Sequence, residues 1–188
     1  MTKPHFIALV GTNADFSYNR ILLQFMSRTY TDQAEIEVRE IADIPLFNEN
    51  QMKNPPVSVT ALSAAIDAAD GVIIASPEYD HAIPAALKSV LEWLSSATHP
   101  FQNKPVMVVG TSYGVQGTVR AQTNLRQVLD APGVQACVLP GNEFMLPTVK
   151  DKFDQQGQLV DDRSVSFLGQ CLANFVQFAA LNPVSVSA

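Results

Sequence analysis

The sequence contains few charged residues and few cysteines. Asp, Glu, Lys and Arg make up 16% of the 188 residues, and the formal net charge is −6. Nucleic-acid binding and anchoring to anionic lipid both require clustered Lys and Arg, so we expect neither nucleic acid nor a membrane as a partner. Cys137 and Cys171 have no C-x-x-C or metal-ligand spacing. We interpret both as small core residues rather than redox or ligand residues.

Long apolar runs are also missing. The N-terminal run, Phe6 to Val10, has five residues, whereas a signal peptide needs a longer apolar region. No segment approaches the length of a membrane span. The composition is 47% hydrophobic, which is enough for a globular core. We therefore expect one domain over residues 1–188 and a cytoplasmic location.

The sequence does contain a regular alternation of apolar strands and amphipathic helices. Continuous apolar runs are typical of buried parallel strands, an alternating run predicts a strand near the sheet edge, and helical spacing follows each. The order predicts a doubly wound, three-layer α/β fold with a five-stranded parallel sheet. The predicted strands are 5–10, 34–41, 71–76, 104–112 and 134–140, and the predicted helices are 19–30, 58–69, 84–96, 118–130 and 162–180.

In such a fold, ligands bind beyond the carboxyl ends of the strands. The first loop at that edge, "GTNADFSYNR", combines Gly11 with short polar side chains and leads into a helix. This arrangement is typical of an anion site, although it matches neither G-x-x-x-x-G-K-[ST] nor G-x-G-x-x-G. The alternative is a capped helix start without a ligand, in which Asn19 is a candidate cap.

The second loop, within "ASPEYDHAIPAALKSVLEWLSS", lies between a strand and a helix. Pro77 and Pro84 stiffen its backbone, and we place Pro84 at the first helical position. A stiff backbone can present N–H and C=O groups to a flat heterocycle, and Tyr79 offers a stacking face. His81 could act as an acid or base, but we favour a solvated or helix-capping role for it.

The third loop, "GTSYGVQGTVRAQ", carries Gly110, Gly114 and Gly117, which permit close approach of a ligand to the backbone. Tyr113 adds another aromatic face. One such loop is weak evidence of a site. Three at one sheet edge, however, indicate a mononucleotide with a flat ring.

The second loop closely resembles a known signature. "SPEYDHAIPAALKSVLEWLS" is similar to P-E-Y-N-x-x-x-P-x-x-L-K-x-x-x-D-W-L-S of the NADPH-dependent FMN reductase family. "GTSYGVQGTVRAQTNLRQVL" resembles the family's second flavin loop, and the first loop resembles G-S-x-R-x-x-S-x-N. The resemblance covers about residues 5–147. It implies a flavodoxin-like fold and an oxidoreductase with FMN and NADPH or NADH as cofactors.

The resemblance also implies a ping-pong reaction, in which a hydride passes from NAD(P)H through FMN to a small-molecule acceptor such as a flavin, quinone or azo compound. It implies a homodimer or homotetramer with helix 84–96 near an interface, and no metal. Because the cofactor carries the chemistry, no side chain is assigned a catalytic role. The implied FMN contacts are Thr12, Ser17 and Asn19 at the phosphate, with Asn13 as a further contact on the same loop. Pro77, Glu78, Tyr79 and Asp80 would line the ring, largely through backbone atoms, and Ser112, Tyr113 and Gly114 would line its other edge.

Two residues depart from the family pattern. The usual arginine of the first loop is Ala14, and Arg20, which lies beyond the loop, is a candidate replacement. The usual asparagine after Pro-Glu-Tyr is Asp80, whose carboxylate should disfavour anionic reduced flavin by Coulomb repulsion. Two other functions therefore stay open at this point. One is a flavodoxin-like electron carrier, and the other is an interaction protein of the same fold that has lost flavin.

Overall fold

The computed structural model describes residues 3–182. Its centre is a parallel sheet with the order β2-β1-β3-β4-β5, and β6 pairs with β4 beyond the end of β5. This confirms the predicted α/β fold, because 2-1-3-4-5 is the flavodoxin-like strand order. The strands are β1 (His5–Val10), β2 (Glu35–Arg39), β3 (Gly71–Ala75), β4 (Pro105–Thr111), β5 (Cys137–Val138) and β6 (Phe144–Leu146).

The fifth strand position is divided between β5 and β6. Pro105 and Val106 of β4 pair with β5, whereas the end of β4, from Val109, pairs with β6. Pro140 between them has no N–H to donate, and Gly141 has a φ of 68°. The predicted strand over 134–140 was therefore too long, and β6 was not predicted.

Within residues 3–182, four α-helices connect strands and a fifth follows the last strand, each close to its predicted range. We predicted Pro84 as the first residue of the third helix. Its ψ of 146° is not helical, so Pro84 instead precedes that helix. The α-helix ends at Trp93, before the predicted end at residue 96. A π-helical turn, Leu94–Thr98, follows it and ends at His99, which has a φ of 58°. The helices are α1 (Tyr18–Thr29), α2 (Val57–Ala68), α3 (Ala85–Trp93), α4 (Val119–Leu129) and α5 (Asp162–Leu181).

The two faces of the sheet carry separate apolar clusters. Along β1, Phe6 and Val10 pack with α1 and α5, whereas Ile7 and Leu9 pack with α2, α3 and α4. This alternation follows from the two-residue period of a strand. All four side chains are fully buried, as expected for an interior strand covered on both faces. The predicted three layers are thus confirmed.

The helix α5 is long and apolar enough to cross a membrane by length and composition alone. The expectation that no segment approaches that length was therefore wrong, because it counted only uninterrupted apolar runs. In this fold, a stripe that includes Leu168, Leu172 and Phe175 is buried against the sheet. The helix thus has the packing of a core helix of an α/β domain.

The chain changes its winding direction at β1. The strand β2 lies on one side of β1, and β3 lies on the other. Loops 11–17, 76–84 and 112–118 follow β1, β3 and β4 at the carboxyl edge of the sheet. We refer to them as the first, second and third loops. Because the winding direction changes here, this edge is where an open α/β sheet binds its ligand.

Candidate functional site

The first loop starts with a close contact between strands. The N–H of Gly11 donates to the carbonyl of Ala75 over 2.8 Å, and a Cβ at Gly11 would lie 2.6 Å from that oxygen. Thr12 is 1% exposed. Its hydroxyl accepts from the N–H of Ala14 at 3.2 Å and lies 3.3 Å from the Tyr79 hydroxyl. Thr12 therefore joins the first and second loops at the base of the site.

Ser17 caps α1. Its φ of −152° is extended, and its side chain accepts from the N–H of Arg20 at 3.3 Å. Asn19, the candidate cap, instead bridges to the end of β4. Its amide donates to the carbonyl of Thr111 at 3.1 Å and accepts from the N–H of Thr111 at 2.9 Å. Asn19 is 3% exposed, so it holds α1 in place against the sheet.

Backbone amides at the start of α1 are left unpaired. Within residues 3–182, the N–H groups of Asp15, Phe16 and Ser17 have no hydrogen-bond partner. They lie at the positive end of the α1 dipole, close to the hydroxyls of Thr12 and Ser17. Such a set of donors suits a phosphate group. Asn13 is exposed on the same loop.

The second loop forms a tight turn. Tyr79 and Ala82 exchange two backbone hydrogen bonds of 3.0 Å, and Asp80 and His81 between them have φ angles of 49° and 66°. Two consecutive positive φ angles indicate a type I′ turn, a conformation that asparagine and aspartate tolerate better than most residues. Asp80 and His81 are exposed at its tip. The helix α3 begins without a side-chain cap, so His81 does not cap it.

Glu78 faces α4 with its carboxylate. One oxygen accepts from the N–H groups of Arg120 and Ala121 at 2.9 and 3.2 Å, and the other lies 3.6 Å from the guanidinium of Arg120. The side chain of Glu78 is therefore used to cap α4, and only its backbone remains for a ligand. The second loop is attached to α4 again by Ile83, whose N–H donates to Asn124 at 3.3 Å. Pro77, half-buried, precedes this cap.

The third loop rests on the segment after β6. The N–H of Ser112 donates to the carbonyl of Leu146, and the N–H of Val149 donates back to the carbonyl of Ser112, at 3.0 and 3.1 Å. The N–H of Thr148 donates to the carbonyl of Gly114 at 3.2 Å. Sequence reasoning left residues 141–161 unassigned. The apolar triplet Phe144–Leu146 was the signal that could have identified this support.

The three glycines at the end of β4 and in the third loop have different surroundings. A Cβ at Gly110 would lie 2.2 Å from the Thr118 hydroxyl, so Gly110 serves packing inside the protein. At Gly117, φ is 61° and a Cβ would meet Met145 at 3.0 Å. A Cβ at Gly114 would meet nothing within 4 Å. Of the three, Gly114 alone is placed for the predicted approach of a ligand.

Exposed aromatic rings surround this edge. Phe16, Tyr79 and Tyr113, one from each loop, are 59%, 50% and 60% exposed. The half-buried Tyr18 packs edge-to-face against Phe16 and Tyr113, with centroids 5.0 and 5.6 Å apart. The ammonium of Lys150 lies 5.4 Å from the centre of the Tyr113 ring. Aromatic faces next to a phosphate cradle suit a planar ring system carried on a phosphate.

The strand order, the donor-rich first loop and the aromatic rim together define a flavodoxin-like protein that binds a mononucleotide with a flat ring. Comparison with known proteins then gives the family. Residues 4–151 match the NADPH-dependent FMN reductase family, and the chain belongs to it.

Relatives and solved structures agree with this membership. The chain is 50% identical over 177 residues to subunit 2 of an NADH-dependent flavin reductase from Lactobacillus johnsonii, covering 92% of this chain and 95% of the relative. It is 47% identical over 177 residues to a subunit of an NADH:(hydroxy)cinnamate reductase from Vibrio ruber, covering 94% and 88%. The flavoenzyme FerB from Paracoccus denitrificans, an NAD(P)H:acceptor oxidoreductase, shares the fold with a TM-score of 0.85 at 23% identity, over 96% of this chain and all of FerB.

These findings confirm the class predicted from the sequence. The protein is an NAD(P)H-dependent flavin oxidoreductase with FMN and a nicotinamide nucleotide as cofactors and a small molecule as acceptor. They fit this interpretation, and not the electron-carrier or flavin-free alternative. The donor groups of the first loop and the open side of Gly114 are consistent with FMN at this edge.

Proposed function

We propose that the three loops hold FMN with its phosphate on the first loop and its ring between the second and third, and that the exposed ring face reduces a small acceptor. The observation that carries this proposal is the set of unpaired N–H groups of Asp15, Phe16 and Ser17 at the start of α1. A phosphate satisfies such donors and is stabilised by the helix dipole.

Each predicted residue has a role in this arrangement. Thr12 and Ser17 supply hydroxyls to the phosphate, Asn13 lies at the outer side of the same loop, and Asn19 acts by fixing α1 to Thr111. The ring lies against the backbone of Pro77–Asp80 on one edge. Its other edge lies against Ser112, Tyr113 and Gly114. Side chains here bind and orient, and none is assigned a proton-transfer step.

The chemistry that bound FMN supplies is acceptance of a hydride from NAD(P)H and reduction of a second molecule at the same face. The protein's part is to leave one face of the ring accessible. Tyr79 and Tyr113, both at least half exposed, provide flat apolar surfaces beside that face. Such surfaces favour planar acceptors such as quinones, azo compounds or free flavin over aliphatic ones.

NADH is the donor that we favour. A preference for NADPH requires a cation for its 2′-phosphate, and three of the basic residues near this edge already face an acid, which leaves Lys150 beside Tyr113. Arg20 pairs with Glu40, Lys152 with Asp161, and Arg120 lies 3.6 Å from Glu78. The two relatives with 50% and 47% identity are both named for NADH.

The same two relatives are named as subunits, and we extend this to the present chain. One form is a homodimer or homotetramer built through α3 and α4. A groove of about 370 Å³ between these helices, lined by residues that include Leu91, Val128 and Ala131, is a surface for such contact. The other form is a complex in which a second, different subunit accepts electrons from the flavin. A cytoplasmic location, where NADH is available, remains our prediction.

An absorption spectrum tests the proposal. FMN is added to the purified protein, free flavin is removed by desalting, and NADH or NADPH is added without oxygen. A retained flavin band that bleaches faster with NADH supports the full proposal. A band that bleaches with neither nucleotide contradicts the reductase function. A colourless protein that also fails to oxidise NADH with excess FMN contradicts flavin binding altogether.

A further inference from the structure

The side chain of Arg20 contacts the first loop through the carbonyls of Ala14 and Asp15. Its Nε and Nη2 donate to the two carboxylate oxygens of Glu40 at 2.6 and 2.8 Å. Nη1 donates to the carbonyl of Asp15 at 2.9 Å, and Nη2 donates to the carbonyl of Ala14 at 3.0 Å. The hydrogen bond with Glu40 raises the pKa of Arg20, so the guanidinium stays charged. Four donor interactions of one side chain thus fix two peptide groups and the end of β2.

These contacts determine the direction of the loop amides. In a trans peptide the C=O and the following N–H point in nearly opposite directions, and no cis peptide occurs in the part of the chain that the structure describes. Since the carbonyls of Ala14 and Asp15 point to Arg20, the N–H groups of Asp15 and Phe16 point away from it. Glu40 follows β2, on the opposite side of β1 from β3 and β4. The two amides therefore point away from the ion pair of Arg20 with Glu40.

We propose that Arg20 is a positioning residue that aims the amides of Asp15 and Phe16 at the FMN phosphate without touching it. This inference rests on the proposed placement of FMN. It explains how the site can work with alanine at position 14, where the family pattern has an arginine. Arg20 replaces the direct cationic contact with two oriented backbone donors, which carry no mobile charge and need no reordering on binding.

A simple charge effect does not explain the arrangement. The side chain of Arg20 is 18% exposed, and its guanidinium forms a two-point ion pair with Glu40. Its charge is therefore compensated at close range, and little of it reaches a phosphate on the other side of the loop. The planar fork of arginine matches the carboxylate and the two carbonyls together, which the single ammonium of lysine cannot do.

The test compares three variants by their equilibrium affinity for FMN and for riboflavin, which lacks the phosphate. Arg20→Gln removes the charge and the fork, and Arg20→Lys keeps the charge alone. Arg28→Gln is the matched control. Arg28 is an exposed residue of the same helix whose guanidinium also donates to a carbonyl, that of Gly157, at 3.3 Å. We expect both Arg20 variants to bind FMN about tenfold more weakly, with riboflavin affinity and the control within about twofold of the unchanged protein.

Other outcomes would overturn the proposal. If Arg20→Lys binds FMN normally, the role of Arg20 is its charge and not its geometry. If both variants lose FMN and riboflavin affinity equally, Arg20 supports the fold in general. If neither variant loses FMN affinity, the amides do not depend on Arg20.

A second measurement works on the flavin-free protein and does not require FMN to bind. The ¹⁵N order parameters of Asp15 and Phe16 report backbone motion on the picosecond to nanosecond timescale. They should fall from about 0.85 to below about 0.6 in Arg20→Gln and stay high in Arg28→Gln. Unchanged order parameters would refute the positioning role. Failure of the unchanged protein to bind FMN, together with the expected loss of order, would instead locate the error in the proposed function.

Discussion

Two helices begin at the same edge of the sheet, and the backbone amides at their starts differ. At α4, the carboxylate of Glu78 accepts from the N–H groups of Arg120 and Ala121. At α1, Ser17 caps the N–H of Arg20, and the N–H groups of Asp15, Phe16 and Ser17 just before the helix have no partner within residues 3–182. The start of α4 is thus neutralised by the chain's own acid. The start of α1 is left for an anion from outside.

The comparison shows that two loops at the same edge of one sheet differ in which of their polar groups the protein itself satisfies. In the second loop, the carboxylate of Glu78 fixes the loop to α4 and satisfies two amides of that helix. In the first loop, the guanidinium of Arg20 binds the carbonyls of Ala14 and Asp15 and leaves the loop amides unpaired within residues 3–182. Glu78 would repel a phosphate at α4, which favours the proposed phosphate position at α1. In the proposed arrangement, the ring extends from α1 across the second and third loops.

Removal of the Ser17 side chain should give the largest loss of FMN affinity among the substitutions at α1. Ser17→Ala deletes a phosphate donor and the helix cap. We expect FMN affinity to fall by about 10- to 100-fold, since a hydrogen bond to a charged group contributes about 1.5–3 kcal/mol. The free energy of unfolding should fall by about 1 kcal/mol. Flavin fluorescence titration and urea unfolding measure the two effects. Ser58→Ala, a substitution of the same kind on α2, should leave FMN affinity unchanged, and an equal loss there would contradict the assignment.

Removing Glu78 tests the other side of the comparison. Glu78→Ala leaves the amides of Arg120 and Ala121 without their acceptor and detaches the second loop from α4. We expect a loss of about 1–2 kcal/mol in the free energy of unfolding, and weaker FMN binding as a consequence of the loosened loop. The control Glu92→Ala breaks an exposed pair with Lys88 and should cost no more than about 0.5 kcal/mol. Similar unfolding curves for the two variants would show that the α4 cap is unimportant.

A cation added to the first loop should make the start of α1 a stronger phosphate site and increase its contrast with the start of α4. Ala14→Arg restores the arginine of the family pattern next to the free amides. We expect FMN to bind about 3- to 10-fold more tightly, because the phosphate gains a charge-assisted contact, and riboflavin to bind as before. Ala61→Arg on the exposed side of α2 controls for net charge. Equal or weaker FMN affinity in Ala14→Arg would refute the prediction.

The smallest effect is expected at the tip of the second loop. Asp80→Asn removes a carboxylate beside the predicted ring position, so the two-electron potential of bound FMN should rise. Because Asp80 is exposed, solvent screening limits the rise to about 10–20 mV. Asparagine also suits the φ of 49°, so the variant should fold at least as well. Redox titration against Asp130→Asn measures the shift, and an unchanged or lower potential would mean that the carboxylate is turned away from the ring.

Much of the fold could be read from hydrophobic periodicity. The buried runs of β1, β3 and β4 and the amphipathic pattern of the helices were found close to their observed bounds, because burial on both faces of the sheet imposes those patterns. The pattern failed at the fifth strand position, where Pro140 and Gly141 divide a short edge element. Strands of two or three residues are too short to show a period. Their existence depends on pairing with β4, which is distant in sequence.

The predicted site residues lie on the three expected loops, apart from Asn19 in the first turn of α1, but their individual roles could not be read from the sequence. Asn19 was considered as a cap and is instead a bridge to Thr111. Glu78 was predicted to line the ring through its backbone, and the sequence did not indicate that its carboxylate caps α4. Arg20 was considered as a replacement cation, and it proves to be bound to Glu40. Each of these contacts joins residues far apart in sequence or in different elements, so local patterns do not encode them.

The class of fold, the three loops and the kind of ligand can be inferred from the sequence, because these depend on periodicity, on backbone-permissive residues and on a specific signature. The polar groups that remain free for that ligand can be identified only in the folded protein. A donor is available only if no other part of the protein satisfies it. At α4 the acid of a neighbouring loop satisfies the amides, and at α1 an arginine turns them outward. That difference arises from neighbours brought together by the fold, and it is the reason that we propose the phosphate site at α1.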